Sequence, residues 1–236
     1  MSTGLMVDDQ NKLKEVRSRS FPEQPVALQV VAKIISYIFH PVFVPVMVVW
    51  FFVFVHPNLF VGIPDDQRFR VVAMAAVSFT FFPLVTVLLL RGLKFIDTIY
   101  LHTQRDRVIP FIACMIWYFW IWYVWNNFGK TDSGSDMPRL MVQFAFAAFL
   151  STILGVMVNI RMKVSLHAIS AGIALTLFAI MALTPGINLN FWFAIVLLLT
   201  GIICTARFIV SDHTPQEVYG GLALGAASML IANFIG

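Results

Sequence analysis

Residues 191–235 run FWFAIVLLLTGIICTARFIV (191–210), SDHTPQE (211–217) and VYGGLALGAASMLIANFI (218–235), and this stretch decides the fold. Two apolar runs flank seven mostly polar residues, and each run approaches the roughly 20 residues that cross a bilayer as a helix. The same pattern extends towards the N-terminus. Apolar runs at 27–55, 70–91, 108–127, 139–160 and 165–184 join those at 189–210 and 217–235 to predict six to seven crossings. The composition agrees: 59% of the 236 residues are hydrophobic, 12% are charged, and the mean hydropathy is +0.84. That leaves too little polar surface for a water-soluble domain of this size. The expected fold class is therefore all-α, a polytopic transmembrane helical bundle.

The remaining features set the organisation. Residues 1–25 form a polar tail without the basic-then-apolar pattern of a cleaved signal peptide, and residues 26–236 read as one membrane domain. Pro41 and Pro45 interrupt the first run, which predicts an interfacial helix followed by a kinked crossing. Cys114 and Cys204 lie within apolar runs, so neither a disulfide framework nor a zinc site is expected. The aromatics of the third run (Trp117, Tyr118, Phe119, Trp120, Trp122, Tyr123, Trp125) suggest a lipid-facing or interfacial belt. Gly221 and Gly225, four apart among alanines, suit close helix packing. The net charge of +4 is a weak signal, and no nucleic-acid partner is expected.

With seven crossings, Lys and Arg divide 12 to 4 in favour of the N-terminal side, and 7 to 4 without residues 105, 107, 161, 163 and 207. The positive-inside rule then predicts a cytoplasmic N-terminus and an external C-terminus.

Three polar segments fall on one side in this topology: Gln104-Arg105-Asp106-Arg107, Lys163-Val164-Ser165-Leu166-His167, and Arg207 through His213 to Glu217. Charges at span ends are costly unless paired, solvated or used. These residue types suit phosphoryl transfer, which needs cations on the phosphate oxygens, an in-line nucleophile and an acid for the leaving oxygen. Arginine's planar fork bonds two phosphate oxygens at once. Ser165 and His167 open one predicted helix and His213 precedes another, where free backbone N–H groups and the helix dipole favour an anion. A histidine beside a carboxylate is held in the tautomer that leaves its other nitrogen free to attack.

The third segment resembles the Arg, five residues, His, three residues, acid motif of the type 2 phosphatidic acid phosphatase (PAP2) superfamily. Ser165-Leu166-His167 is similar to that family's Ser-Gly-His motif, and 104–110 looks like a variant of its Lys…Arg-Pro motif. The gaps between motifs, 58 positions from Arg107 to Ser165 and 40 from His167 to Arg207, suit the family as well. The resemblance covers roughly 95–220. It implies a PAP2-like helical core and a metal-independent, cofactor-free lipid phosphatase of the bacterial inner membrane. It also implies that His213 is the nucleophile forming a phosphohistidine, that Glu217 orients it, and that His167 is the general acid. Ser165, Arg107 and Arg207 would hold the phosphate, with Arg105 and Lys163 as further cations. Leu166 stands where the family has glycine, Glu217 where it has aspartate, and Tyr100 where it has lysine; Pro110 does not directly follow Arg107.

Plainer roles compete for the same residues. Thr214-Pro215-Gln216-Glu217 is also a good helix start, in which Glu217 caps the last span. Arg105, Arg107 and Lys163 also serve as flanking charges that fix topology. His40 has no partner motif and is expected to be structural; His56 and His102 are expected in loops. The replacements at Leu166 and Glu217 keep a second function open: a catalytically silent lipid-phosphate-binding or transport protein. A lipid phosphate and the surrounding membrane lipids are the expected partners. The sequence does not fix an oligomeric state.

Overall fold

The computed structural model describes residues 4–7, 13–16, 24–95, 104–127, 137–210 and 213–235; for 4–7, 13–16 and 104–107 the description covers the backbone alone. Within the tail predicted as simply polar, β1 (Gly4–Val7) and β2 (Leu13–Val16) pair antiparallel, Gly4 opposite Val16. The remaining regular structure among the described residues is helical.

The helices follow the apolar runs closely. They are α1 (Val26–Ile38), α2 (Val44–Trp50), α3 (Asp65–Ala75), α4 (Phe82–Gly92), α5 (Gln104–Asn127), α6 (Arg139–Asn159), α7 (Leu166–Ala182), α8 (Asn190–Val210) and α9 (Pro215–Ile235). A wider π-turn, Phe51–Val55, extends α2, and another, Ala76–Phe81, joins α3 to α4 into one helix over 65–92. Pro83 lies just past the second π-turn, where the regular ladder is already interrupted and its missing N–H costs least. Among the described residues five helices are long and apolar enough to cross a bilayer: 65–92, 108–127, 139–159, 190–210 and 215–235. Helices 26–38, 44–55 and 166–182 are shorter. The chain is thus a multi-pass helical membrane protein.

The first apolar run divides into two helices joined by a tight bend. The chain turns at Phe39–Phe43, where Phe43 N–H donates to the His40 carbonyl at 2.8 Å. Thr80, in the second π-turn, ties this bend down by donating its hydroxyl to the Val42 carbonyl at 2.6 Å. α1 lies along α8 with its C-terminal Ser36 beside Arg207, near the C-terminal end of α8. α2 instead passes along α7 and reaches its far end, where Phe51 meets Phe178 and Trp192 at ring-centroid distances of 5.0 and 4.9 Å.

α7 and α9 form the tightest pair, and glycine is what allows it. A Cβ at Gly221 would stand 2.7 Å from the Ser165 carbonyl oxygen, and one at Gly225 would run into the Ile169 carbonyl. Gly172 makes the reciprocal approach from α7 onto the Leu222 carbonyl of α9. Such contacts bring backbones together where apolar side chains gain little from leaving lipid. α6 closes the bundle against α5 and α9, and the side-chain amide of Gln143 donates to the Asn233 carbonyl at 3.3 Å.

The aromatics of α5 divide between two surroundings. Tyr118 and Trp125 are buried against Phe79, and Trp117 stacks on Phe82 with centroids 4.1 Å apart. Phe119, Trp120 and Tyr123 are exposed and keep the predicted lipid-facing role. Two of the seven aromatics in the expected belt are core, because α5 carries aromatics all round and necessarily turns some of them inward.

Candidate functional site

The site is built where α7 and α9 begin. Thr214 is the N-cap of α9, Pro215 its first residue and Glu217 its third. The Thr214 hydroxyl accepts from Glu217 N–H, and Glu217 Oε2 accepts from Thr214 N–H, both at 3.3 Å, which is a capping box. The same Oε2 lies 2.8 Å from Nδ1 of His213. Because an ionised carboxylate only accepts, Nδ1 carries the proton and Nε2 keeps its lone pair. Both side chains are buried, 3% and 4% exposed, so the pair is shielded from water. The capping and orienting roles weighed for Glu217 therefore fall to one oxygen atom.

Ser165 joins this start to that of α7. Its N–H donates to the Glu217 carbonyl at 3.1 Å, and its hydroxyl caps α7 by accepting from Ala168 N–H at 3.4 Å. Ser165 is fully buried, and capping is the role its side chain visibly plays. Leu166, in the position the resemblance gives to glycine, is the first residue of α7 and half-buried. Lys163 sits two residues before Ser165 in the short link from α6 and is also half-buried.

His167 faces α1. Its Nε2 stands 3.0 Å from the Ser36 carbonyl, which only accepts, so Nε2 carries a proton there and Nδ1 is the other nitrogen. Ser36 lies in the last turn of α1, among the carbonyls a helix leaves without an intrahelical donor. From α8, Arg207 Nη1 donates to the Ser36 hydroxyl at 3.3 Å. Arg207, His40 and His213 all lie within electrostatic reach of His167. His213, Glu217, Ser165, His167 and Arg207, singled out from the sequence, therefore gather around the adjoining ends of α7, α8 and α9.

His40 and Ser36 are the residues sequence reasoning missed. The His40 ring stands edge-on to that of His167, with centroids 5.3 Å apart and planes at 82°. His40 was expected to be structural because no motif surrounds it; the signal that could have raised it was the Pro41 beside it, which marks the chain turn that carries it here. His56, expected in a loop, lies in the turn after α2 and stacks on Phe51. Arg105 and Arg107 lie on the first turn of α5, but their side chains are outside the described residues, as is all of His102. The first turn of α5 lies at the same end of the bundle as the end of α6, since a Cβ at Gly155 would touch the Phe111 ring.

The arrangement can hold one histidine in a fixed tautomer beside a second histidine and a guanidinium, at the N-termini of two helices. Compared with known proteins, the chain matches no family model, no curated protein and no solved structure.

Proposed function

We propose that the chain is an integral membrane lipid phosphatase that acts on a phosphomonoester or diphosphate of a lipid through a phosphohistidine. The observation that carries this reading is the buried His213–Glu217 pair, 2.8 Å apart, with His167 within electrostatic reach of both His213 and Arg207. In the first step Nε2 of His213 attacks phosphorus and the P–O bond to the lipid breaks. His167, protonated at Nδ1 once the phosphate's negative charge lies beside it, gives the leaving oxygen that proton. In the second step water attacks the phosphohistidine, His167 takes the water's proton, and the N–P bond breaks to release phosphate. Arg207 neutralises the oxygens as charge develops on them, among buried side chains where such charges count for more than in water. Glu217 stabilises the His213 cation that each step passes through. The resemblance to the PAP2 superfamily supports the same assignment and adds Arg105, Arg107, Lys163 and Ser165 to the phosphate side. It also suits a bacterial inner-membrane protein and a reaction that uses neither metal nor cofactor.

The test is phosphate release by the purified protein from phosphatidic acid, phosphatidylglycerol phosphate, an isoprenyl diphosphate and a lipid A-type phosphate. Wild type should release phosphate from at least one of them, and His213→Ala, melting at the same temperature, should not. Full activity in His213→Ala would sink the assignment.

One observation favours a second reading, a catalytically silent lipid-phosphate-binding or transport protein. Ser36 already engages both His167 Nε2 and Arg207 Nη1, the groups assigned to the acid and phosphate roles. Lipid-phosphate binding without phosphate release across the same panel would select it.

A further inference from the structure

A cleft of about 610 Å3 runs along the seam between α1 and α8. Leu28, Val31 and Ile35 form one wall, Leu197 and Ile202 the other, and Gly201 opens into it. A Cβ at Gly201 would meet nothing within 4 Å, so the missing side chain leaves room rather than permitting a helix contact. Thr205 also lines the cleft, but its hydroxyl donates to the Gly201 carbonyl at 2.9 Å and is thus satisfied within α8. From Ala194 to Ile209 the cleft follows about 22 Å of helix, at 1.5 Å per residue. That exceeds one leaflet of a hydrocarbon core about 30 Å thick. Val30 and Ile34, on the outer side of α1, are exposed, so the seam lies on the lipid-facing surface.

Arg207 does not line this apolar trough but adjoins it, one residue beyond Ala206. Ile35 and Ala206 line it there, and the residues that follow them, Ser36 and Arg207, are the pair hydrogen-bonded at 3.3 Å beside His167. A long aliphatic wall with a guanidinium next to one part of it complements one kind of occupant, an amphiphile with an anionic head.

We infer that the α1–α8 cleft receives an aliphatic chain of a lipid phosphate whose phosphate lies at Arg207. The inference rests on the lipid-phosphate reading of the site and adds where the tail goes. Lipid tails gain nothing by leaving other tails, so the cleft selects through packing fit, and filling it should penalise long chains above short ones.

The experiment compares wild type, Gly201→Phe and, as a control on the exposed face of α9, Leu230→Phe. All are full-length protein in the same detergent, and thermal melting checks their folding. Two probes are used for turnover: a palmitoyl phosphatidic acid and a short-chain, water-soluble one. A fluorescent long-chain phosphatidic acid is titrated separately to read binding without turnover. The expected result for Gly201→Phe is an about tenfold rise in the long-to-short KM ratio and an about tenfold weaker fluorescent-lipid affinity, with Leu230→Phe like wild type. Equal long-chain affinity and equal KM ratio in Gly201→Phe and wild type would overturn the inference and leave the phosphatase reading untouched. Should wild type release no phosphate from any lipid, the phosphatase reading fails and the binding arm alone decides: weaker binding by Gly201→Phe supports the cleft, and unchanged binding overturns it.

Discussion

Glu217 Oε2 holds His213 Nδ1 at 2.8 Å while accepting the Thr214 N–H that opens α9. The orientation of His213 is thereby tied to a helix cap, and the two can be separated chemically. Glutamine at the third helical position still completes a capping box but carries no charge. Glu217→Gln should melt close to wild type yet release lipid phosphate more slowly, by on the order of 10²–10⁴-fold, as when a triad loses its carboxylate. A phosphate-release assay beside a melting curve checks this; an unchanged rate would show that Glu217 only caps.

The glycine contacts between α7 and α9 predict a stability effect that does not depend on any activity. Gly225→Ala drives a methyl group into the Ile169 carbonyl, so the helices must separate. The expected cost is about 1–3 kcal/mol, the usual range for overpacking, read from denaturant or thermal unfolding in detergent. Gly201→Ala, where the added methyl meets open space, should be neutral or slightly stabilising through helix propensity. Equal effects at the two positions would contradict the packing account.

The edge contact between His40 and His167 makes a graded prediction. If the His40 ring serves to hold His167 in place, His40→Phe should keep most of the phosphate-release rate and His40→Ala should lose about tenfold, a cost of about 1.4 kcal/mol in the barrier. Thr80→Val, which frees the bend at Val42, should resemble a weaker His40→Ala. An equal loss in both His40 variants would point instead to chemistry at the imidazole nitrogens.

The direction of α1 changes the expected topology. With α1 lying along α8 and the chain turning back at His40, α1 begins away from the site, towards the end where α9 finishes. If the residues before α1 lie on that side too, Lys and Arg divide 7 (91, 94, 105, 107, 161, 163, 207) to 8 (12, 14, 17, 19, 68, 70, 130, 139), with Lys33 inside α1, and the positive-inside count no longer selects a side. Single cysteines placed near residue 24 and near residue 235, in a chain lacking Cys114 and Cys204, should react with an impermeant maleimide from the same side of the membrane. Reaction from opposite sides would restore the single first crossing.

What the sequence determined by itself is the set of helices and the residues at their starts. Hydropathy is a local property, and burying an unpaired backbone polar group in lipid is so costly that each long apolar run must become a helix. Six of the seven predicted runs therefore match helices to within a few residues, and Thr214-Pro215-Gln216-Glu217 could be read directly as a cap. Order along the chain also carried His213, Glu217, Ser165, His167 and Arg207 to one end of the bundle, because successive helices alternate in direction. Tertiary structure alone decided what lies opposite them. Ser36 meets His167 across 131 positions of sequence and Arg207 across 171, and no local pattern encodes such a meeting. The same holds for Gly172, whose need for a bare backbone appears once Leu222 lies against it, and for the division of the α5 aromatics between core and lipid. A helix of apolar residues is stable in a membrane at any rotation, so packing against its neighbours selects which face turns inward.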